Sequence, residues 1–160
     1  MATAYLALGS NLGDRRALLH AATAAIGQVS GTHLLAQSSI YETVPEGNAA
    51  EPLYLNAVLR VETSLTAREL LDSCLDIERR LGRVRPADGA KRSRVIDIDL
   101  LLFGDQIIDE PGLQVPHPAL LARPFVRIPL ADVATAGLCH PQAGERLDQS
   151  VPDAGVRRFR

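Results

Sequence analysis

The chain has 160 residues, 46% of them hydrophobic and 4% aromatic, and a formal net charge of −2. That length suits one domain with a real core. A slightly acidic chain without Trp does not suit a nucleic-acid or anionic-membrane binder, and two isolated cysteines, Cys74 and Cys139, make neither a disulfide framework nor a structural zinc site. No apolar run reaches the about 18 residues of a membrane span, and no leader pattern opens the chain. A soluble cytoplasmic protein is the expectation.

Residues 3–8 form a short apolar run ended by Gly9, which predicts a buried strand. Residues 9–14 read as a structural turn. They lack the Gly-Lys-Ser/Thr ending of a phosphate loop. Asp14 can cap a helix whose apolar face is Leu18, Leu19, Ala22, Ala25 and Ile26. Residues 34–41 predict a second strand, followed by a loop rich in Pro, Gly and Asn. Residues 54–63 predict a third, with Leu55, Ala57, Leu59 and Val61 on the core face and Tyr54 and Asn56 on the other. A Tyr and an Asn at a strand mouth could hold a flat heterocycle, by stacking and by reading its edge; a packed Tyr and an Asn bonded to loop backbone is the plainer alternative.

Thr66-Ala-Arg-Glu69 has the capping-box pattern and opens a helix carrying Leu70, Leu71, Cys74, Leu75, Ile77 and Leu81. Residues 82–94 then hold five cationic side chains and one acid, broken by Pro86 and Gly89, and read as a basic loop. The strand that follows, residues 94–104, organises the chain. Alternation sets Ile96, Ile98, Leu100 and Leu102 on one face and Val95, Asp97, Asp99, Leu101 and Phe103 on the other. The two carboxylates stand roughly 6.5–7 Å apart along the strand. Anions so close need a proton or a cation between them, and Mg²⁺ favours such a pair with phosphate and water as its remaining ligands. Basic loop and acid pair together suit polyphosphate transfer. Further on, residues 106–108 predict a short edge strand, Pro118 starts a short helix, and an apolar strand is expected up to Leu130. Residues 137–160 read as an irregular covering segment, and His20, His33 and His140 as surface or capping residues.

Strand, helix, two strands, helix, strand is the order of a ferredoxin-like α+β sandwich: a mostly antiparallel sheet with two main helices on one face. The other face would then carry Tyr54, Asn56, Asp97 and Asp99 together.

These residues, in this order, resemble the 6-hydroxymethyl-7,8-dihydropterin pyrophosphokinase family over almost the whole chain. The resemblance rests on Ala7-Leu-Gly-Ser-Asn-Leu12, Ser38-Ser-Ile-Tyr-Glu-Thr43, Tyr54-Leu-Asn-Ala57, Glu62-Thr-Ser64, Ile77-Glu78, Gly82-Arg-Val-Arg85, Asp97-Ile-Asp-Leu-Leu-Leu-Phe-Gly104 and Val115-Pro-His117. It implies transfer of pyrophosphate from ATP to a pterin hydroxymethyl group, with release of AMP, by a single domain over residues 1–160. It further implies that Asp97 and Asp99 hold two Mg²⁺ ions and that Tyr54 and Phe125 sandwich the pterin. Asn56 would read the pterin edge beside Thr43 and Val44. Arg83 and Arg94 would meet the transferring phosphates, and Arg83, Arg85, Ile98, Leu100, His117 and Arg123 the nucleotide. One departure is plain: Lys91-Arg-Ser-Arg94 stands where the family has Trp-Gly-Pro-Arg. The partners expected are these small molecules alone, met by a monomer, with neither nucleic acid nor membrane. A catalytically inert ligand-binding module and an RNA-binding module of the same fold are the alternatives weighed.

Overall fold

The structure, a computed structural model, describes residues 1–43, 53–82, 95–153 and 155–159. The apolar N-terminal run becomes β1 (Ala2–Ser10), an inner strand of the sheet. It pairs antiparallel with β4 (Tyr54–Thr63) on one side and β5 (Asp97–Phe103) on the other. Along its other edge β4 carries β2 (Thr32–Gln37) and β3 (Tyr41–Thr43), and β3 pairs with β8 (Val156–Arg158). The single strand expected over residues 34–41 is therefore divided. Ser38 marks the break: Val58 N–H donates to its hydroxyl rather than to its carbonyl, at 2.9 Å. The tail expected to be irregular includes one strand, β8, on the sheet edge.

Both expected helices cover one face. α1 (Arg15–Gly27) starts at Asp14, whose carboxylate accepts the Ala17 N–H at 3.1 Å. α2 (Ala67–Arg80) starts at a complete capping box: Glu69 N–H donates to Thr66 Oγ1 at 3.1 Å, and Thr66 N–H to Glu69 Oε1 at 2.9 Å. Leu19, Ala22, Ile26, Leu70, Cys74 and Ile77 pack against Leu6, Leu8, Leu55 and Leu59 in the main core. The architecture is the α+β sandwich anticipated, with a mostly antiparallel sheet.

Two departures shape the opposite face. The apolar strand expected up to Leu130 is a helix, α3 (Pro124–Val133). Proline is preorganised for a first helical turn, and Val126, Leu130 and Val133 recur at helical spacing. They meet Tyr5, Val58, Leu101 and Leu102 in a second core. Arg60 ties this layer down by donating to the Val133 carbonyl at 2.9 Å. The second departure is in β5. Its register with β1 shifts between Tyr5 and Leu6, so Leu101 is an extra residue. Alternation holds up to Leu101 and reverses beyond it. Phe103 joins the main core, and Leu102 turns to the second, against the simple alternation.

After β5, β6 (Ile108–Glu110) and β7 (Leu113–Val115) form a hairpin, two residues later than the edge strand expected at residues 106–108. The Val115–Pro116 peptide bond is cis, and a 3₁₀ turn, Leu120–Ala122, leads into α3. Among the described residues no helix is long and apolar enough to cross a membrane. Leu6 is fully buried at the centre of β1. Leu6→Ala should lower the unfolding free energy by about 2–5 kcal/mol, read from the midpoint of urea denaturation at unchanged slope; a loss well under 1 kcal/mol would place the main core elsewhere.

Candidate active site

Residues directly opposite each other on antiparallel strands present their side chains on one face. Gly9 of β1 is opposite Asn56 of β4 and also opposite Asp97 of β5. Two residues along, Ala7 stands between Val58 and Asp99. Asn56 and both aspartates therefore share the face away from α1 and α2. Adjacent strands lie about 4.8 Å apart, so Asn56 and Asp97 are roughly 10 Å apart across the sheet. Within the sheet the residue between them is this glycine. A Cβ at Gly9 would come 3.4 Å from Asn56 Oδ1 and 3.7 Å from Tyr54 Cδ1.

Asn56 is held from the opposite side. Its Nδ2 donates to Thr43 Oγ1 at 2.6 Å, a buried bond that turns Oδ1 toward Gly9. Thr43 is opposite Tyr54 in the β3–β4 ladder, so Thr43, Tyr54 and Asn56 form one group. Phe125, in the first turn of α3, packs against both clusters on this face. The Arg123 guanidinium lies 5.6 Å from the centre of its ring. Val44 lies outside the described residues, as do Arg83, Arg85 and Arg94.

Asp97 and Asp99 are half-buried and line an open cleft of about 1000 Å³. Its walls are α2 through Leu71, Leu75 and Glu78, the β6–β7 hairpin through Leu113 and Gln114, and His117. Ile98 and Leu100 also border it, although their side chains, 2% and 5% exposed, belong to the main core. Among the described residues no group of three or more His, Cys, Asp or Glu side chains could hold a metal. A pair of carboxylates fits magnesium nonetheless, because that ion commonly takes one or two carboxylates and completes its shell with water and phosphate.

The family model for 7,8-dihydro-6-hydroxymethylpterin-pyrophosphokinase matches residues 5–135. A 2-amino-4-hydroxy-6-hydroxymethyldihydropteridine pyrophosphokinase of Haemophilus influenzae is 44% identical over 135 residues, 84% of this chain and 83% of that one. The enzyme of the same name from Bacillus subtilis is 38% identical over 154 residues, 96% of this chain and 88% of its own. The chain belongs to the 7,8-dihydro-6-hydroxymethylpterin-pyrophosphokinase family. A solved Plasmodium falciparum HPPK-DHPS with STZ-DHP shares the pyrophosphokinase fold, with a TM-score of 0.71 at 14% identity, covering 92% of this chain and 42% of that one. The present chain thus spans less than half of that solved chain.

Two pyrophosphokinase residues were not singled out for a role by the sequence reading. Glu78 is 2% exposed, and its Oε2 accepts the Ile98 N–H at 2.7 Å. It thereby holds the peptide between the two aspartates from the outer edge of β5. An acid inside the apolar stripe of α2, beside Ile77, was the available signal. Ser10, taken as part of a turn, is the last residue of β1, and its hydroxyl donates to the Val95 carbonyl just ahead of the acids.

His117 is fixed at both ends of its backbone and ring. Its N–H donates to the Leu101 carbonyl at 2.9 Å, and its Nδ1 accepts the Ala119 N–H at 3.1 Å. Burial lowers its pKa, the Arg123 charge lowers it further, and Asp97 opposes both. The imidazole is thus neutral near pH 7, with its proton on Nε2. The unfolded chain takes up the proton first. Any stabilisation from the neutral ring is complete above the ordinary value of about 6.5 and is lost as pH falls toward the lower folded value. An NMR titration of the His117 ring should show a midpoint below that ordinary value; a midpoint at or above it would contradict this electrostatic account.

Proposed function

We propose that residues 1–160 act as one pyrophosphokinase domain, transferring pyrophosphate from ATP to the hydroxymethyl group of 6-hydroxymethyl-7,8-dihydropterin in folate biosynthesis. Membership of the family carries the activity, and the row Asn56–Gly9–Asp97 supports the division of labour. It sets an edge-reading amide about 10 Å across bare backbone from a pair of acids, which is room for a bicyclic ring and its hydroxymethyl arm.

In this reading Tyr54 and Phe125 stack on the pterin. Asn56 Oδ1 accepts from its donor edge, and Thr43 and Val44 border it. The nucleotide lies in the cleft beneath α2, against Ile98, Leu100, His117 and Arg123, with Arg85 at its phosphates. His117 would donate from Nε2 to a nucleotide oxygen, the role its neutral state permits. Asp97 and Asp99 would hold magnesium, two ions in this reading, which would supply charge neutralisation to the ATP phosphates.

The pterin hydroxyl oxygen attacks the β-phosphorus of ATP and loses its proton. The bond from that phosphorus to the α-phosphate oxygen breaks, and AMP leaves with the electron pair. Negative charge moves toward the α-phosphate during this step. Arg83 and Arg94 would stabilise it from the basic stretch. No protein nucleophile is needed, since alignment and charge stabilisation suffice. The reading extends to a cytoplasmic monomer that meets only these small molecules.

Asp97→Asn removes one charge at nearly constant shape. AMP release, measured with ATP, Mg²⁺ and the hydroxymethyl-dihydropterin together, should fall by at least about 10²-fold, by analogy with the loss of one electrostatic group. Turnover at the parent rate would refute the role given to the acid pair.

A further inference from the structure

Arg15, the first residue of α1, reaches away from its helix to the β3–β4 edge. Its Nη1 donates to Glu42 Oε2 at 3.2 Å and to the Leu53 carbonyl at 2.7 Å. Glu42 is opposite Leu55 in the ladder, and the next pair, Thr43 and Tyr54, is the last of it. Leu53 lies one residue beyond that pair. A single guanidinium therefore bridges the two strands where their backbone pairing ends. A second cation holds the same carboxylate: Arg157 of β8 donates to Glu42 Oε1 at 2.9 Å. The Glu42 side chain is only 13% exposed and that of Arg15 26%, so this is not a solvated surface pair. The hydrogen bond from Arg157 is the largest influence on Glu42, burial opposes it, and Arg15 adds its own hydrogen bond and charge, so the carboxyl is held below the usual carboxylate range. Arg15 also lies over the Phe159 ring, 5.7 Å from its centre.

Each residue that Arg15 grips is a chain neighbour of one assigned to the pterin. Glu42 precedes Thr43, and Leu53 precedes Tyr54. Thr43 in turn holds the Asn56 amide. Movement of β3 away from β4 at this end would turn the amide and shift the phenol at once. We propose that Arg15 is a positioning residue for the pterin: by tying Glu42 to the Leu53 carbonyl, it sets the spacing of Thr43, Tyr54 and Asn56. The inference rests on the pterin assignment of those three residues. Both bonds leave from one nitrogen, and lysine at this position would offer instead a more strongly hydrated ammonium on a flexible stem of different reach, so it would hold the two acceptors less firmly.

The test measures kcat and the separate KM values for pterin and ATP in Arg15→Met, Arg15→Lys and Arg157→Met, with thermal unfolding beside them. Displacement of a binding group by about 1 Å can cost on the order of 10²-fold. Arg15→Met should therefore raise the pterin KM by roughly 10- to 100-fold, with the ATP KM within about twofold of the parent. Arg15→Lys should fall between the two. Arg157→Met, which leaves the Leu53 bond in place, should raise the pterin KM less than Arg15→Met does. A role confined to stability would lower the unfolding temperature and leave the ratio of the two KM values at the parent value, and that result overturns the proposal. Should Arg15→Met fail to fold, Arg15→Lys decides by the same ratio. Calorimetry of pterin binding to the parent and to Tyr54→Ala separates the underlying reading. If Tyr54→Ala weakens binding while the Arg15 variants keep the parent ratio, only the role of Arg15 falls. If Tyr54→Ala binds as the parent does, the pterin assignment falls, and the proposal with it.

Discussion

The site depends on the pairing of one short strand with two neighbours. Because β1 is antiparallel to both β4 and β5, each of its residues fixes which side chains from the flanking strands look the same way. The residue opposite both Asn56 and Asp97 is a glycine. Any larger side chain there would stand between the edge-reading amide and the acids. The aliphatic residues on the reverse face, Leu6 and Leu8 of β1 with Leu55 and Ile98, are buried under two helices, so a slip of one residue would bury the carboxylates and expose the core. Hydrophobic burial on one side of the sheet thus enforces the electrostatic arrangement on the other.

Two supports stand behind that arrangement. Glu78 reaches from α2 to the peptide between the aspartates, and Ser10 bonds to the backbone before them. Both act on backbone, so they set the direction of the acid pair without occupying it. On the opposite side, Thr43 fixes the Asn56 amide. The open floor between the halves is bounded by groups that are themselves held, which is what preorganisation requires when little covalent chemistry is asked of the protein.

Much of this was legible in the residues. Alternation in β4 and in the first half of β5 put the acids and Asn56 on a common face, and the capping box at Thr66 located α2. The failures have physical causes. Between Phe125 and Ala131 the single charged residue, Arg127, is too little to set a period that distinguishes strand from helix, and the helical reading is decided by burial against Tyr5 and Val58. The extra residue at Leu101 is invisible in sequence, because every residue from Leu100 to Phe103 is apolar and either face accepts it. Glu78 and Arg15 were missed for a different reason. Their partners, the Ile98 N–H for Glu78 and the Leu53 carbonyl and Glu42 carboxylate for Arg15, lie far away along the chain, and such partners leave no local pattern to read.

The buried Cys74 has a consequence of its own. It sits in α2, 1% exposed, in the main core with Ile77 and Ile98. Burial, reinforced by the negative charges of Glu78 and Asp99, pushes its thiol up to about 12. Only the thiolate is an effective nucleophile, so alkylating reagents at neutral pH meet an inert sulfur there while the exposed Cys139 remains open to them. Slow labelling of Cys74 would therefore clock the rate at which α2 lifts from the sheet, a local opening seen from the side of the cleft without a ligand or an added probe.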